Sequence, residues 1–210
     1  MKILVAILMF VLLVSTAHAK TLTIAVDISS SNALVSSKEF ARSAGKYVRE
    51  QVAKLEMGDV VYIRPIGDRS MANFKVETIK IDRRMRPDKA AAAVGRYIED
   101  LPNKPHEGSG ATELIAFLEF TQLDCANNGQ ALILTDGVES SEYLSGDKFL
   151  AGKPLPKPQE NLLSGCTITM LGFGQSVDGQ WPPQAIKAMR ASWQTWMKAA
   201  GATFNPIINL

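Results

Sequence analysis

"TLTIAVDISSSN", Thr21 to Asn32, decides how the rest of the chain is read. Leu22 to Ile28 is an apolar, β-branched run with the length of a buried strand, and it stops abruptly in an acid and three serines. A turn at that place needs only Gly, Asn or Pro, which carry less risk of stranding a buried charge. Asp27, Ser29 and Ser31 alternate along an extended segment, so their side chains project from one side where the strand reaches the surface. That is a placement for oxygen ligands, and the next question is what else the fold brings to the same end of the strand.

Strand and helix patterns alternate along the rest of the chain. Ser37 to Leu55 sets Phe40, Ala44, Tyr47, Val48, Val52 and Leu55 on one helical face, and Gly58 ends it. Val60 to Ile66 and Phe74 to Ile81 read as strands, and the short "GDRSMAN" between them makes them antiparallel neighbours. Pro87 opens a helix that runs to Leu101. After the loop "PNKPHEGSG", Ala111 to Cys125 continues as a helix with Leu114, Phe117, Leu118 and Leu123 apolar. Gln130 to Thr135, "QALILT", has the unbroken apolar character of a strand covered on both faces. Cys166 to Phe173 is a fifth strand, and "ATFNPII" supplies a last one. Between these two, Trp181 to Ala200 is a helix whose Ile186, Met189, Trp193, Trp196 and Met197 form core.

Residues 139–164 interrupt this rhythm with a polar stretch holding Pro154, Pro156 and Pro158, and they read as an inserted surface loop. "GDKFLAGKP" within it is not a phosphate loop, because its spacing is one residue too long and Pro154 stands where Ser or Thr is needed. The alternation predicts an α/β fold with a doubly wound, mostly parallel central sheet, one antiparallel strand toward its edge and helices on both faces. In such Rossmann-like sheets a ligand sits at the carboxyl ends of the strands, where the strand order reverses.

The first 19 of the 210 residues have the pattern of an export signal. Lys2 gives the positive start, Ile3 to Val14 the apolar stretch, and Ala17-His18-Ala19 a small-x-small cleavage site before Lys20. The apolar stretch is short of the about 20 residues that span a bilayer. An uncleaved anchor is the other reading of the same residues. The expectation is a leader over 1–19, one domain over 20–210, and a periplasmic or secreted product with no membrane insertion of the mature chain. Setting Lys2 aside leaves 22 basic residues against 21 acidic ones, a balance that excludes a nucleic-acid binder or an anionic-membrane binder built on basic excess. Cys125 and Cys166 would be free to pair in an oxidising compartment if the fold brings them together.

Three places carry oxygen donors where the sheet rule puts a ligand: Asp27, Ser29 and Ser31 after the first strand, Thr112 in "SGAT", and Asp136 in "QALILTDG". A hard divalent cation such as Mg²⁺ is the species that wants such a set. The hydroxyls are neutral, so a cation held this way keeps charge to share with an outside anion. The plainer alternative is that the serines cap the next helix and Asp136 turns the chain.

These residues resemble the metal-ion-dependent adhesion site of von Willebrand factor type A domains. That site is Asp-x-Ser-x-Ser on the first strand, a Thr in a later loop and an Asp after the fourth strand. Asp27-Ile28-Ser29-Ser30-Ser31, Thr112 and Asp136 fill all five positions. "EMGDVVYIRPIGD", Glu56 to Asp68, is similar to the family's second-strand region, and "CTITMLGFG", Cys166 to Gly174, resembles its fifth.

The resemblance implies that Ser29 and Ser31 bind the metal directly, Thr112 when ligand is present, and Asp27 and Asp136 mostly through water. It implies Mg²⁺ as the cation, with Mn²⁺ or Ca²⁺ as alternatives, and a partner protein that contributes an Asp or Glu carboxylate. It also implies strand order 3-2-1-4-5-6, with the switch point under this site. In that order Cys125 and Cys166 each precede one of two neighbouring strands at the amino end, so a disulfide is expected, with two separate buried thiols as the alternative.

The remaining motifs point elsewhere or nowhere. Lys80, Arg83, Arg84, Arg86 and Lys89 read as a solvated basic edge far from the metal residues. His106 is the only histidine after the leader, and no nucleophile elbow, zinc-protease motif or Cys-rich zinc pattern occurs. Ser29 stands where an aspartate-nucleophile phosphatase would carry its second Asp. The expected function is an exported, non-enzymatic, metal-dependent protein-binding module of envelope, secretion or conjugation assembly. A metal-dependent hydrolase and a structural envelope domain without metal are the alternatives.

Overall fold

Strand β1, Thr21–Asp27, is buried at every residue after Thr21 and is flanked on both sides by parallel strands. These are β2, Val60–Ile66, and β4, Gln130–Leu134, while β3, Glu77–Lys80, runs antiparallel to β2 at the edge. Beyond β4 lie β5, Thr167–Leu171, and β8, Thr203–Ile207, both parallel. The six-stranded order is β3-β2-β1-β4-β5-β8, which is 3-2-1-4-5-6 when the sheet's own strands are counted. A separate two-stranded hairpin, β6 at Gln175–Ser176 and β7 at Gly179–Gln180, was not anticipated in the sequence. The computed structural model describes residues 19–67, 76–104, 110–126 and 129–210. Residues 1–18 of the leader expected over 1–19, the expected hairpin turn beyond Gly67, the first residues of the expected third strand and His106 lie outside the described residues.

Alternation of side chains along β1 divides the core. Leu22, Ile24 and Val26 pack with Val48 and Val52 of α1, Lys38–Val52, and with Val94 and Ile98 of α2, Pro87–Glu99. Ala25 belongs to the opposite layer, with Leu114 and Leu118 of α3, Leu114–Phe120, and with Met189 and Trp193 of α5, Pro183–Ala199. Alternation puts Asp27 on the Ala25 side, toward α3 and α5. The α1 and α2 helices approach closely because Gly45 and Gly95 lack side chains: a Cβ on Gly45 would lie 2.8 Å from the Gly95 carbonyl oxygen. Arg49 and Glu99 join the same helices with a 2.5 Å ion pair.

The segment 139–164, read as a surface loop, is in part core. It contains a short helix, α4 at Gly146–Leu150, and buries Leu144, Phe149 and Leu163. Phe149 meets Trp193 edge to face with ring centroids 6.3 Å apart, so the segment forms a wall over α5. The α3 helix is also shorter than Ala111 to Cys125: Thr121 leaves helical geometry, and Cys125 is held in a disulfide with Cys166, Cα to Cα 4.5 Å. That bridge lies at the amino end of β5, where the Thr167 amide donates to the Gly129 carbonyl. Because β3 is antiparallel and Lys80 pairs with Val60 beside Thr21, Lys80, Arg83, Arg84, Arg86 and Lys89, all exposed, lie at the opposite end of the sheet from Asp27.

Candidate functional site

Where β1 and β4 end side by side, Val26 opposite Leu134, lies the strand-order switch point at which open α/β sheets form their ligand crevice. Asp27 enters it fully buried, with Ser29 at 3% exposure and Ser31 half-buried. The Ser29 amide donates to Asp27 Oδ1 at 2.9 Å, which folds the Asp-Ile-Ser segment back on itself. The Ser29 and Ser31 hydroxyls lie 3.2 Å apart. Neither serine caps a helix. Asn32 accepts from the Leu34 amide at the start of a 3-10 turn, and Ser37 accepts from the Phe40 amide at the start of α1. The capping alternative for Ser29 and Ser31 is therefore filled by other residues.

Thr112 lies two residues before α3 rather than in its first turn, in a β-bridge whose two hydrogen bonds to Ser140 are each 2.9 Å. Its hydroxyl is 3.5 Å from Asp27 Oδ1. Asp136, also fully buried, turns the chain with Oδ1, which accepts from the Val138 amide at 2.9 Å. Gly137 follows with φ +82°, and a Cβ there would lie 2.6 Å from the Phe173 ring, so glycine is required by both conformation and space. The Trp193 indole donates to the Gly137 carbonyl at 2.8 Å and pins this turn to α5. The five residues singled out in the sequence thus converge on one crevice.

Two further residues build the site and were not singled out. The Thr135 hydroxyl donates to Asp27 Oδ2 at 2.7 Å and accepts from the Gly137 amide at 3.1 Å. Asn32 donates from Nδ2 to the carbonyls of Asp27, 2.8 Å, and Leu134, 3.1 Å, tying the ends of β1 and β4 together. Thr135 was legible in principle, since a parallel register that pairs Val26 with Leu134 sets the next residue beside Asp27. Asn32 gave no signal beyond being a cap residue.

The electrostatics are those of a site missing a positive charge. Burial raises the Asp27 carboxyl above its ordinary value, against hydrogen bonds from Ser29, Thr135 and Thr112 that favour the anion. Asp136 is pushed up to about 7, first by burial and then by the charge of Asp27. Ser31 and Trp181 lie close enough to temper that rise. Even so, Asp136 Oδ2 is buried without a hydrogen-bond partner, and so is the Trp181 indole nitrogen. Among the described residues, no basic side chain is a leading cause of either shift. An unpartnered buried carboxylate oxygen facing hydroxyls fits a hard cation, which inverts this pKa logic by stabilising both anions.

Comparison of the chain with protein-family models, with curated proteins and with solved structures finds no match. Among the described residues no three His, Cys, Asp or Glu side chains converge as a metal-ligand group. The set here differs in kind, with two carboxylates and three hydroxyls. Another buried acid, Glu139, follows Asp136 on the same loop and is pushed up to about 7 by burial. Its Oε2 accepts from the Ile115 amide at 3.0 Å, in the first turn of α3.

Proposed function

We propose that this chain is a metal-dependent protein-binding module of the von Willebrand factor type A kind. Its crevice would hold a divalent cation, Mg²⁺ first and Mn²⁺ or Ca²⁺ by the same oxygen chemistry, through Ser29, Ser31, Thr112, Asp27 and Asp136. The single observation that carries the reading is the buried, unpartnered Asp136 Oδ2 beside a second buried carboxylate, with the flanking serines unused as caps. When bound, the cation supplies positive charge that neutral hydroxyls leave largely uncompensated, and a partner's Asp or Glu carboxylate is the anion that answers it.

The chain's own residues do the positioning. Thr135 and Asn32 fix Asp27 and the two strand ends, and the Thr112 bridge to Ser140 sets the third hydroxyl against Asp27.

An exported site of action, the periplasm or the cell exterior, agrees with the Cys125–Cys166 disulfide, since such bridges persist in oxidising compartments. No helix among the described residues is long and apolar enough to cross a membrane. The role proposed is assembly in the envelope or in a secretion or conjugation apparatus. The test is retention of envelope proteins on the immobilised protein. The expected result is a partner held in Mg²⁺, released by chelator and not held by a Ser29→Ala, Ser31→Ala variant. Retention indifferent to both changes would overturn the reading.

A further inference from the structure

The β6–β7 hairpin is bonded to the oxygen cluster at both ends. On one side the Val177 amide donates to the Ser31 carbonyl at 2.8 Å, and Ser176 pairs with Asn32 in an antiparallel bridge. On the other, the Trp181 amide donates to the Gly174 carbonyl at 2.9 Å, and the Gly174 amide donates to the Asp136 carbonyl at 2.7 Å. Gly174 thus links the backbones of Trp181 and Asp136. Trp181 comes directly after β7, with Pro182 and Pro183 leading from it into α5. Its ring is half-buried against the core layer that holds Met189 and Trp193.

The indole nitrogen of Trp181 is close enough to Asp136 to favour its carboxylate form, yet among the described residues it has no hydrogen-bond partner, and neither has Asp136 Oδ2. A donor and an acceptor, both buried, neighbour each other without bonding. Leaving either one unpaired is unfavourable. An indole can only donate, whereas a carboxylate oxygen has two lone pairs, so Oδ2 can take the N–H on one while the other serves a cation or its water. Carboxylates at metal sites are oriented by such outer donors, whose removal typically costs about 10–100-fold in metal affinity. We propose that the β6–β7 hairpin is a working part of the cation site and that Trp181 is its positioning residue, the indole N–H closing on Asp136 Oδ2 when the cation binds. The proposal rests on the metal-dependent reading above and adds a donor to it.

The test is titration of Mg²⁺ into ¹⁵N-labelled protein, followed by nuclear magnetic resonance at the three indole N–H signals, with calorimetry beside it. Triple-resonance spectra of the parent assign the Trp181 signal, so its movement is read whether or not a variant folds. The Trp181 proton should move downfield and saturate at the calorimetric midpoint. A Trp181→Phe variant, verified as folded by circular dichroism, keeps an aromatic ring and should bind Mg²⁺ about tenfold more weakly. In the Ser29→Ala, Ser31→Ala variant the Trp181 signal should stay in place, because no cation is held. A ring that merely fills space would leave the signal unmoved in every case. Saturable Mg²⁺ binding with an unmoved Trp181 signal, with the same movement in the serine variant, or with Trp181→Phe binding as tightly as the parent, would overturn this assignment and leave the metal-dependent reading standing. No Mg²⁺ binding by the parent would overturn both.

Discussion

Replacing Asp136 with Asn isolates the charge that the crevice holds at its own expense. Without metal, the Asp136 carboxyl titrates near 7 in the folded protein against an ordinary 3.8. Between those values the folded state keeps a proton that the unfolded chain has released, so stability falls as pH rises across the window, and the whole penalty stands above about 7. At 1.36 kcal/mol for each pH unit of that gap, the penalty is no more than about 4 kcal/mol, part of it shared with the neighbouring Asp27. Asn keeps an oxygen to accept from Val138 and removes the charge. In chelator near about pH 8 the Asp136→Asn protein should therefore exceed the parent by about 2–4 kcal/mol, and near about pH 5 by less than about 2.

Urea denaturation at both pH values measures this difference, and Glu139, which titrates in the same range, cancels because both proteins carry it. Saturating Mg²⁺ should restore the parent by about 2.7 kcal/mol at a hundredfold excess over its dissociation constant and leave the variant unchanged. A variant less stable than the parent at the higher pH, or a difference that does not change with pH, would mean that Asp136 carries no buried-charge penalty.

Three further outcomes follow from the same structure. Thr135→Val removes the hydroxyl that Asp27 Oδ2 and the Gly137 amide share, and should cost about 1–3 kcal/mol in chemical denaturation while weakening Mg²⁺ binding in titration. Reducing the Cys125–Cys166 bridge releases a loop with a sequence separation of 41 residues, and the loss of its closure entropy should lower stability by about 4 kcal/mol in the reduced protein. Phe149→Ala should cost about 3–5 kcal/mol in thermal or urea melts, as a core truncation does, whereas a true surface loop would lose less than about 0.5.

The strands were legible because their signals are local. Val60–Ile66 matches the sequence reading at both ends, since Gly58 and Gly67 punctuate an apolar run on either side. The Pro-rich composition of residues 139–164 hid the contribution of Leu144, Phe149 and Leu163, which are spaced without helical or strand periodicity and are recognisable as core only beside α5. For α3, apolar spacing continued through Leu123, but Thr121 is extended and the disulfide claims Cys125. The site divides in the same way. Asp27, Ser29, Ser31 and Asp136 sit in short motifs at strand ends, so the sequence displays them. Thr135 and Asn32 act across the β1–β4 junction, and only register reveals that.

A cation site at the ends of β1 and β4 is read most directly by calorimetric titration of Mg²⁺ and of Mn²⁺ into chelator-treated protein, run beside the Ser29→Ala, Ser31→Ala variant. The parent should bind one equivalent saturably and the variant none. Binding that is equal in the two proteins, or absent from the parent at millimolar metal, would contradict a cation site in the crevice between β1 and β4.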